Sequence, residues 1–114
     1  MKITLWHNPR CSTSRKALKM LDETGAKIEI RKYLDDAPSE KEIRDVLAAL
    51  DVEAFAMMRP KEGLFKELGL SRDVNGETLI KAMTEHPRLI ERPIAIRGDL
   101  ARLGRPPEKV LELV

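Results

Sequence analysis

Residues 2–25, KITLWHNPRCSTSRKALKMLDETG, carry the pattern of a strand, a tight turn and a helix in immediate succession. Residues 2–6 include β-branched and aromatic side chains, which favour a strand. The Asn-Pro pair that follows favours a turn. A helix is predicted over residues 12–24, because Gly25 is a typical residue just beyond a helix C-terminus. Cys11, the only cysteine of the chain, therefore lies where the first helix begins.

The position of Cys11 predicts a reactive thiolate. A helix N-terminus presents unpaired backbone N–H groups and the positive end of the helix dipole, and both stabilise an anionic sulfur. Arg10, Arg15 and Lys16 add positive charge to the same segment. The alternative is a buried structural cysteine acting as a small apolar filler. The polar and basic neighbours of Cys11 favour the thiolate.

The chain then continues to alternate strands and helices. Residues 26–33 alternate apolar and polar side chains and predict a second strand. Ser39 and Glu42 form a capping-box pattern before an apolar helical stripe that begins at Ile43. These elements form a βαβ unit, for which a right-handed crossover is expected.

The remaining segments predict short helices followed by a hairpin. Helices are predicted at 52–58, at 63–70 and after Asn75, strand segments at 89–90, 94–96 and 100–103, and a final helix at 108–113. This order resembles the α/β thioredoxin/glutaredoxin-like fold, a βαβ–ββα core with an all-helical insertion between the second strand and the C-terminal hairpin. A chain of 114 residues is the size of one domain, so residues 1–114 are predicted to form a single thioredoxin-like domain.

Composition narrows the class of protein. The apolar fraction is 42% and the charged fraction 35%, with a net charge of only +2, which argues against general nucleic-acid binding. One cysteine cannot form an internal disulfide, and no apolar run reaches membrane-spanning length. We therefore expect a monomeric cytoplasmic protein that contacts neither membrane nor nucleic acid. Residues 1–33 hold eight Lys/Arg and three Asp/Glu, which suits an anionic substrate near Cys11.

Three arginines share an unusual context. Arg59, Arg92 and Arg105 each precede a proline, which disfavours helical backbone and places each arginine in a loop or extended segment. Loops on a rigid scaffold are where ligand contacts gather. The guanidinium group offers a planar fork of donors that suits a tetrahedral oxyanion. A solvated surface arginine is the default interpretation for each one alone, whereas three together with one activated thiol suggest a site.

The sequence resembles the glutaredoxin-dependent arsenate reductases along nearly its whole length. The segments that carry the resemblance are His7-Asn8-Pro9-Arg10-Cys11-Ser12-Thr13-Ser14-Arg15, Met58-Arg59, Lys66-Glu67-Leu68-Gly69-Leu70, His86-Pro87-Arg88-Leu89-Ile90-Glu91-Arg92-Pro93-Ile94 and Leu103-Gly104-Arg105-Pro106. They match that family in order and in rough spacing.

The resemblance implies roles for individual residues. In that family a cysteine thiolate attacks arsenate while three arginines bind the oxyanion, and by motif these residues are Cys11, Arg59, Arg92 and Arg105. The histidine that the family places near its cysteine matches His7. The resemblance also implies glutathione as co-substrate and glutaredoxin as a partner, with no bound cofactor. No metal site is predicted, because two isolated histidines and one cysteine lack ligand spacing.

Four further residues are candidates for a supporting role: Asn8, Ser14, Arg15 and Pro93. Asn8 and Ser14 could hydrogen-bond the thiolate or the oxyanion, or could serve only the turn and the first helical turn. Arg15 adds positive charge near Cys11. Thioredoxin-like folds place a cis-proline beside the redox cysteine, and Pro93 is the candidate, although a trans bond is the more common state of proline.

Two alternative functions fit the same fold. The family resembles transcription regulators that bind RNA polymerase and often carry a Cys-x-x-Cys switch. Ser14 occupies the second cysteine position of that switch, so an internal disulfide switch is excluded here. The other alternative is a monothiol transferase acting on glutathione mixed disulfides, which would need no oxyanion site.

Overall fold

The computed structural model describes residues 2–114. Within that range, the strands are β1 (Lys2–Trp6), β2 (Lys27–Arg31), β3 (Ile94–Arg97) and β4 (Leu100–Leu103). The α-helices are α1 (Ser12–Glu23), α2 (Glu40–Leu50), α3 (Gly63–Glu67) and α4 (Gly76–Glu85). Short 3₁₀ segments cover Ala54–Met57, Pro87–Leu89 and Pro107–Leu113. No helix in the described part of the chain is both long and apolar enough to cross a bilayer.

The four strands form one sheet in the order β2-β1-β3-β4. Strand β1 pairs in parallel with β2 and antiparallel with β3, so Leu5 lies opposite Ile30 on one side and Ala95 on the other. Strands β3 and β4 form the antiparallel hairpin. Along the chain, α1 connects the parallel strands β1 and β2. Helices α2, α3 and α4 follow β2 and precede β3 in the sequence. The predicted thioredoxin-like fold with a helical insertion is confirmed.

The sheet separates two hydrophobic cores. On one face, Leu5 and Ala95 pack with Leu21 of α1 and Val110 of the C-terminal 3₁₀ segment. On the other face, the helical insertion packs over Trp6 and Ile94 in a larger cluster that includes residues of α2 and α4. The end of β1 and the beginning of β3 are thus held from both sides, and the loops that leave them start from rigid positions.

Several helices begin or end at the residues that the sequence predicts, and local capping contacts explain why. Gly25 has φ +79°, a conformation that L-residues rarely adopt, just after α1. Ser39 accepts a hydrogen bond from the Glu42 backbone N–H, and the Glu42 side chain accepts one from the Ser39 N–H. Asn75 caps α4 by accepting from the N–H of Glu77. Each contact satisfies a backbone donor that the helix leaves unpaired.

One predicted element was wrong in type. Residues 89–90 do not form a strand: Pro87–Leu89 is a 3₁₀ turn, and Ile90 makes one isolated antiparallel bridge to Met58. Pro87 fixes its φ and lacks an N–H, which suits the start of a tight turn and not the middle of a sheet. The helices predicted at 52–58 and 108–113, in contrast, are present as 3₁₀ helices over Ala54–Met57 and Pro107–Leu113.

Candidate active site

Cys11 occupies the N-cap of α1, in the loop that follows β1. Its backbone is extended, its carbonyl accepts from the Arg15 N–H at 3.0 Å, and its own N–H donates to the Asn8 carbonyl at 3.0 Å. The residue is 9% exposed. The first turn of α1 contains no acidic side chain, so nothing in that turn opposes negative charge on the sulfur.

A buried hydrogen-bond cluster holds the cysteine loop. His7 Nδ1 and Ser14 Oγ are 2.6 Å apart, and the Asn8 N–H donates to the same Ser14 oxygen at 3.1 Å. Both His7 and Ser14 are buried. Burial lowers the pKa of His7, and the charges of Lys32 and Arg15 lower it further, which favours a neutral imidazole. The cluster ties the end of β1 to the first turn of α1 across the cysteine.

The supporting residues predicted in this loop contact the backbone. The Asn8 side-chain oxygen accepts from the Arg10 N–H at 3.0 Å, which shapes the turn. Arg15 Nη1 donates to the Pro9 carbonyl at 2.9 Å. Ser14 serves the cluster with His7. The observed contacts of Asn8 are those of a turn-shaping residue, whereas Ser14 contacts His7 and the Asn8 N–H and not the first helical turn. A role of either residue in binding an oxyanion stays a prediction.

Arg105 links the sulfur to the other arginines. Its Nη2 lies 3.7 Å from Cys11 Sγ. Its Nε donates to the Arg92 carbonyl at 3.0 Å and lies 3.0 Å from Glu91 Oε1. One planar guanidinium therefore contacts the thiol at one edge and a carboxylate at another.

Arg92 and Arg59 complete a group around the Glu91 carboxylate. Arg92 is 13% exposed at its side chain, and its Nη1 lies 3.8 Å from Glu91 Oε1. Its Nε and Nη1 are buried and have no hydrogen-bond acceptor within residues 2–114. Arg59 Nε lies 3.7 Å from the same Glu91 oxygen, and its Nη1 is 3.2 Å from Glu62. We call Arg59, Arg92, Arg105 and Glu91 the arginine cluster.

Backbone pairing brings Arg59 to this cluster. The Arg59 N–H donates to the Leu89 carbonyl and the Glu91 N–H donates to the Met57 carbonyl, each at 2.8 Å. These bonds flank the bridge between Met58 and Ile90. The helical insertion thus contributes Arg59 by pairing its first 3₁₀ turn with the segment that enters β3.

A close approach at Gly104 brings in Arg105. The Gly104 N–H donates to the Pro93 carbonyl at 2.9 Å, and a Cβ at Gly104 would lie 2.6 Å from Pro93 Cγ. The peptide bonds before Pro93 and Pro106 are both cis. The end of β4 packs directly on the proline just before β3, and Arg105 lies beside Arg92.

Two residues of the site were not predicted from sequence. Glu91 lies in the segment from His86 to Ile94 that resembles the family. Nothing in its spacing indicated that its carboxylate lies among the arginines. Burial raises the pKa of Glu91, while Arg105 and Arg59 oppose that rise. Tyr33 is 1% exposed, and burial raises the pKa of its phenol. The charges of Arg59 and Arg105 lower the pKa of that phenol against the effect of burial, and the charge of Glu91 raises it.

The geometry places guanidinium donors next to the Cys11 sulfur. The arginine cluster supplies guanidinium donors that a carboxylate already engages in part, and two donors of Arg92 have no acceptor among the residues that the structure describes. A tetrahedral oxyanion presents more acceptors than a carboxylate and suits several guanidinium groups at once. Among residues 2–114 there is no group of three His, Cys, Asp or Glu side chains placed to hold a metal ion.

Comparisons with known proteins identify the family of this chain. The family model described as "ArsC family" matches residues 6–113. The chain is 42% identical over 116 residues to the arsenate reductase of Haemophilus influenzae, covering 100% of both chains. It is 44% identical to the protein YfgD of Escherichia coli over 99% of this chain and 97% of that one.

The fold gives the same result. An arsenate reductase structure from Vibrio cholerae superposes with a TM-score of 0.96 at 45% identity, covering 100% of this chain and 98% of that one. The family predicted from the sequence motifs is therefore confirmed. The chain belongs to the ArsC family.

Proposed function

We propose that this protein reduces arsenate to arsenite through a covalent adduct between Cys11 and arsenic. The observation that carries the proposal is Arg105, whose Nη2 lies 3.7 Å from Cys11 Sγ and whose Nε lies 3.0 Å from the carboxylate of the arginine cluster. An oxyanion bound by this guanidinium would lie within reach of the sulfur. The names of the Haemophilus influenzae and Vibrio cholerae proteins support arsenate as the substrate.

The proposed reaction begins with displacement at arsenic. The Cys11 thiolate attacks arsenic(V), an As–S bond forms as one As–O bond breaks, and the leaving hydroxyl group takes up a proton and departs as water. The arginines hold the remaining oxygens and offset their negative charge as the bond forms. The intermediate is an arsenate thioester of Cys11, in which arsenic keeps its oxidation state.

The two electrons come from outside thiols, because the chain contains one cysteine. Glutathione displaces a second oxygen as water and forms a second As–S bond. A glutaredoxin thiolate then attacks the glutathione sulfur, which breaks that As–S bond and leaves its electron pair on arsenic. The products are a glutaredoxin–glutathione disulfide and arsenic(III) on Cys11. Hydrolysis releases arsenite and restores the thiol.

A surface depression beside the cysteine loop supports glutathione as the co-substrate. It has a volume of about 410 Å³ and is lined by His7, Asn8, Pro9, Arg10, Lys32, Leu34 and Asp35. Glutathione carries two carboxylates and one ammonium group. Arg10 and Lys32 suit the carboxylates and Asp35 suits the ammonium. Dependence on reduced glutathione places the proposed activity in the cytoplasm.

A coupled assay tests the proposal. Arsenate, glutathione, glutaredoxin, glutathione reductase and NADPH are combined with the protein, and NADPH oxidation is followed. We expect arsenate-dependent turnover that Cys11→Ser lowers by about a thousandfold or more, because serine is a far weaker nucleophile. Turnover no higher than that of Cys11→Ser would reject arsenate reduction. Activity on glutathione mixed disulfides without arsenate would instead favour a monothiol transferase.

A further inference from the structure

We propose that the Glu91 carboxylate competes with the oxyanion for the arginine cluster, so that anion binding requires Glu91 to release the arginines or take up a proton. This inference rests on the proposed use of the cluster as an oxyanion site. It assigns Glu91 as the residue that sets the affinity of the site and its dependence on pH.

One oxygen of Glu91 approaches all three arginines. Its Oε1 lies 3.0 Å from Arg105 Nε, 3.7 Å from Arg59 Nε and 3.8 Å from Arg92 Nη1. The same oxygen accepts from the Arg92 backbone N–H at 3.2 Å. A bound tetrahedral anion would place its oxygens against these same donors. The carboxylate therefore occupies part of the position that the substrate would take.

The hydrogen bonding of the cluster is incomplete in this state. The two buried donors of Arg92 lack an acceptor within the described chain, although the carboxylate is only 3.8 Å away. A single carboxylate oxygen cannot satisfy three guanidinium groups at hydrogen-bond distance, whereas an anion with four oxygens can supply more acceptors. Exchange of Glu91 for an oxyanion would pair donors that are now unpaired.

Protonation of Glu91 would ease that exchange. The charged and titratable groups that face the carboxylate are Arg59 from the insertion, Arg92 and Arg105 from the ends of β3 and β4, and the Tyr33 phenol after β2. Arg105, which contacts the Glu91 carboxylate, also lies 3.7 Å from the Cys11 sulfur. Burial raises the pKa of Glu91 against the effect of the arginines. If a bound anion takes over the arginines, the carboxylate loses their stabilisation, and proton uptake becomes favourable.

Sulfate is a suitable probe, because it is tetrahedral and keeps its two charges from mildly acidic to neutral pH. We expect Glu91→Gln to bind sulfate about tenfold more tightly than the wild type near neutral pH by isothermal titration calorimetry. Wild-type affinity should fall as pH rises through the Glu91 pKa, and Glu91→Gln should show a flatter profile. Calorimetry in buffers of different ionisation enthalpy should show proton uptake on binding that is larger in the wild type.

Glu62→Gln is the matched control. It makes the same change in charge, its side chain is 26% exposed against 23% for Glu91, and of the three arginines it contacts Arg59. We expect its sulfate affinity to change less than about twofold. Unchanged or weaker binding by Glu91→Gln, or equal tightening by both variants, would overturn the inference. If Glu91→Gln fails to fold, wild-type sulfate binding with no proton uptake and no change of affinity with pH would overturn it.

Failure of the inference and failure of the proposed function give different results. Tighter sulfate binding by Glu91→Gln together with no arsenate turnover would support the competition and reject arsenate reduction. Arsenate turnover with unchanged sulfate affinity in Glu91→Gln would reject the competition and support the reduction.

Discussion

The cysteine loop and the arginine cluster meet at Cys11 but are built in different ways. The loop is held by bonds between neighbours in sequence, such as Asn8 with Ser14 and Cys11 with Arg15. The arginine cluster joins segments far apart in the chain, through backbone bonds such as Arg59 to Leu89. The loop also has an α-helix directly behind it, whereas the cluster depends on contacts between loops.

Cys11 and the arginine cluster therefore depend on separate parts of the fold. The loop positions a sulfur at a helix terminus mainly with short-range contacts, and the His7 N–H donates to the Arg31 carbonyl of β2 at 2.9 Å. The cluster requires the helical insertion, the segment before β3 and the end of β4 to be in register at once. Substitutions in the two regions should therefore separate thiol chemistry, anion binding and stability from one another.

The largest effect is expected where the two regions touch, at Arg105. Arg105→Ala should lower kcat/KM for arsenate by about a hundredfold, because a guanidinium that offsets charge near the reacting atoms is lost. The melting temperature should change little, since the side chain is 40% exposed.

Arg102→Ala is the matched control, because Arg102 is 36% exposed and pairs with Glu112 away from the cluster. Its steady-state kinetics should remain near the wild type. Equal losses in Arg102→Ala and Arg105→Ala would mean that general positive charge, and not the position of Arg105, supports the reaction.

The next effect tests the assembly of the cluster. Gly104→Ala should reduce the free energy of unfolding by about 1–3 kcal/mol, because the new Cβ would overlap the rigid Pro93 ring. Urea denaturation measures this, and sulfate affinity should fall with it as Arg105 moves. Gly76→Ala is the control: within residues 2–114, and apart from its chain neighbours and the backbone of its own helix, no heavy atom lies within 4 Å of its Cβ position at the start of α4. A Gly104→Ala protein as stable as Gly76→Ala would show that the contact is easily relaxed.

The smallest effect is expected in the cysteine loop. Ser14→Ala should reduce the free energy of unfolding by about 1–2 kcal/mol, because His7 and the Asn8 N–H lose a buried partner. Ser12→Ala, at an exposed position in the same helical turn, should be near neutral. The rate of alkylation of the Cys11 thiol is measured in both variants. If Ser14→Ala is as stable as Ser12→Ala, the buried cluster does not hold the loop.

Sequence patterns were sufficient where the physics is local. The end of α1 at Gly25 and the capping box of Ser39 and Glu42 follow from residues within one helical turn. The strand predicted at residues 89–90 was wrong, because this apolar pair follows Pro87 and lies at a tight 3₁₀ turn. The placement of Cys11 at a helix terminus needed only the β1 pattern and the helix after it.

The amino-acid sequence was enough to establish the thioredoxin-like order of elements, the position of Cys11 and the identity of three arginines as candidates. Short-range periodicity, capping and motif resemblance carry that information along the chain. The place of Glu91 among those arginines came from the folded protein, because it depends on pairing between Met58 and Ile90 and on the fit of Gly104 against Pro93. Such contacts join residues that are distant in sequence, and a pattern within a few residues does not predict them.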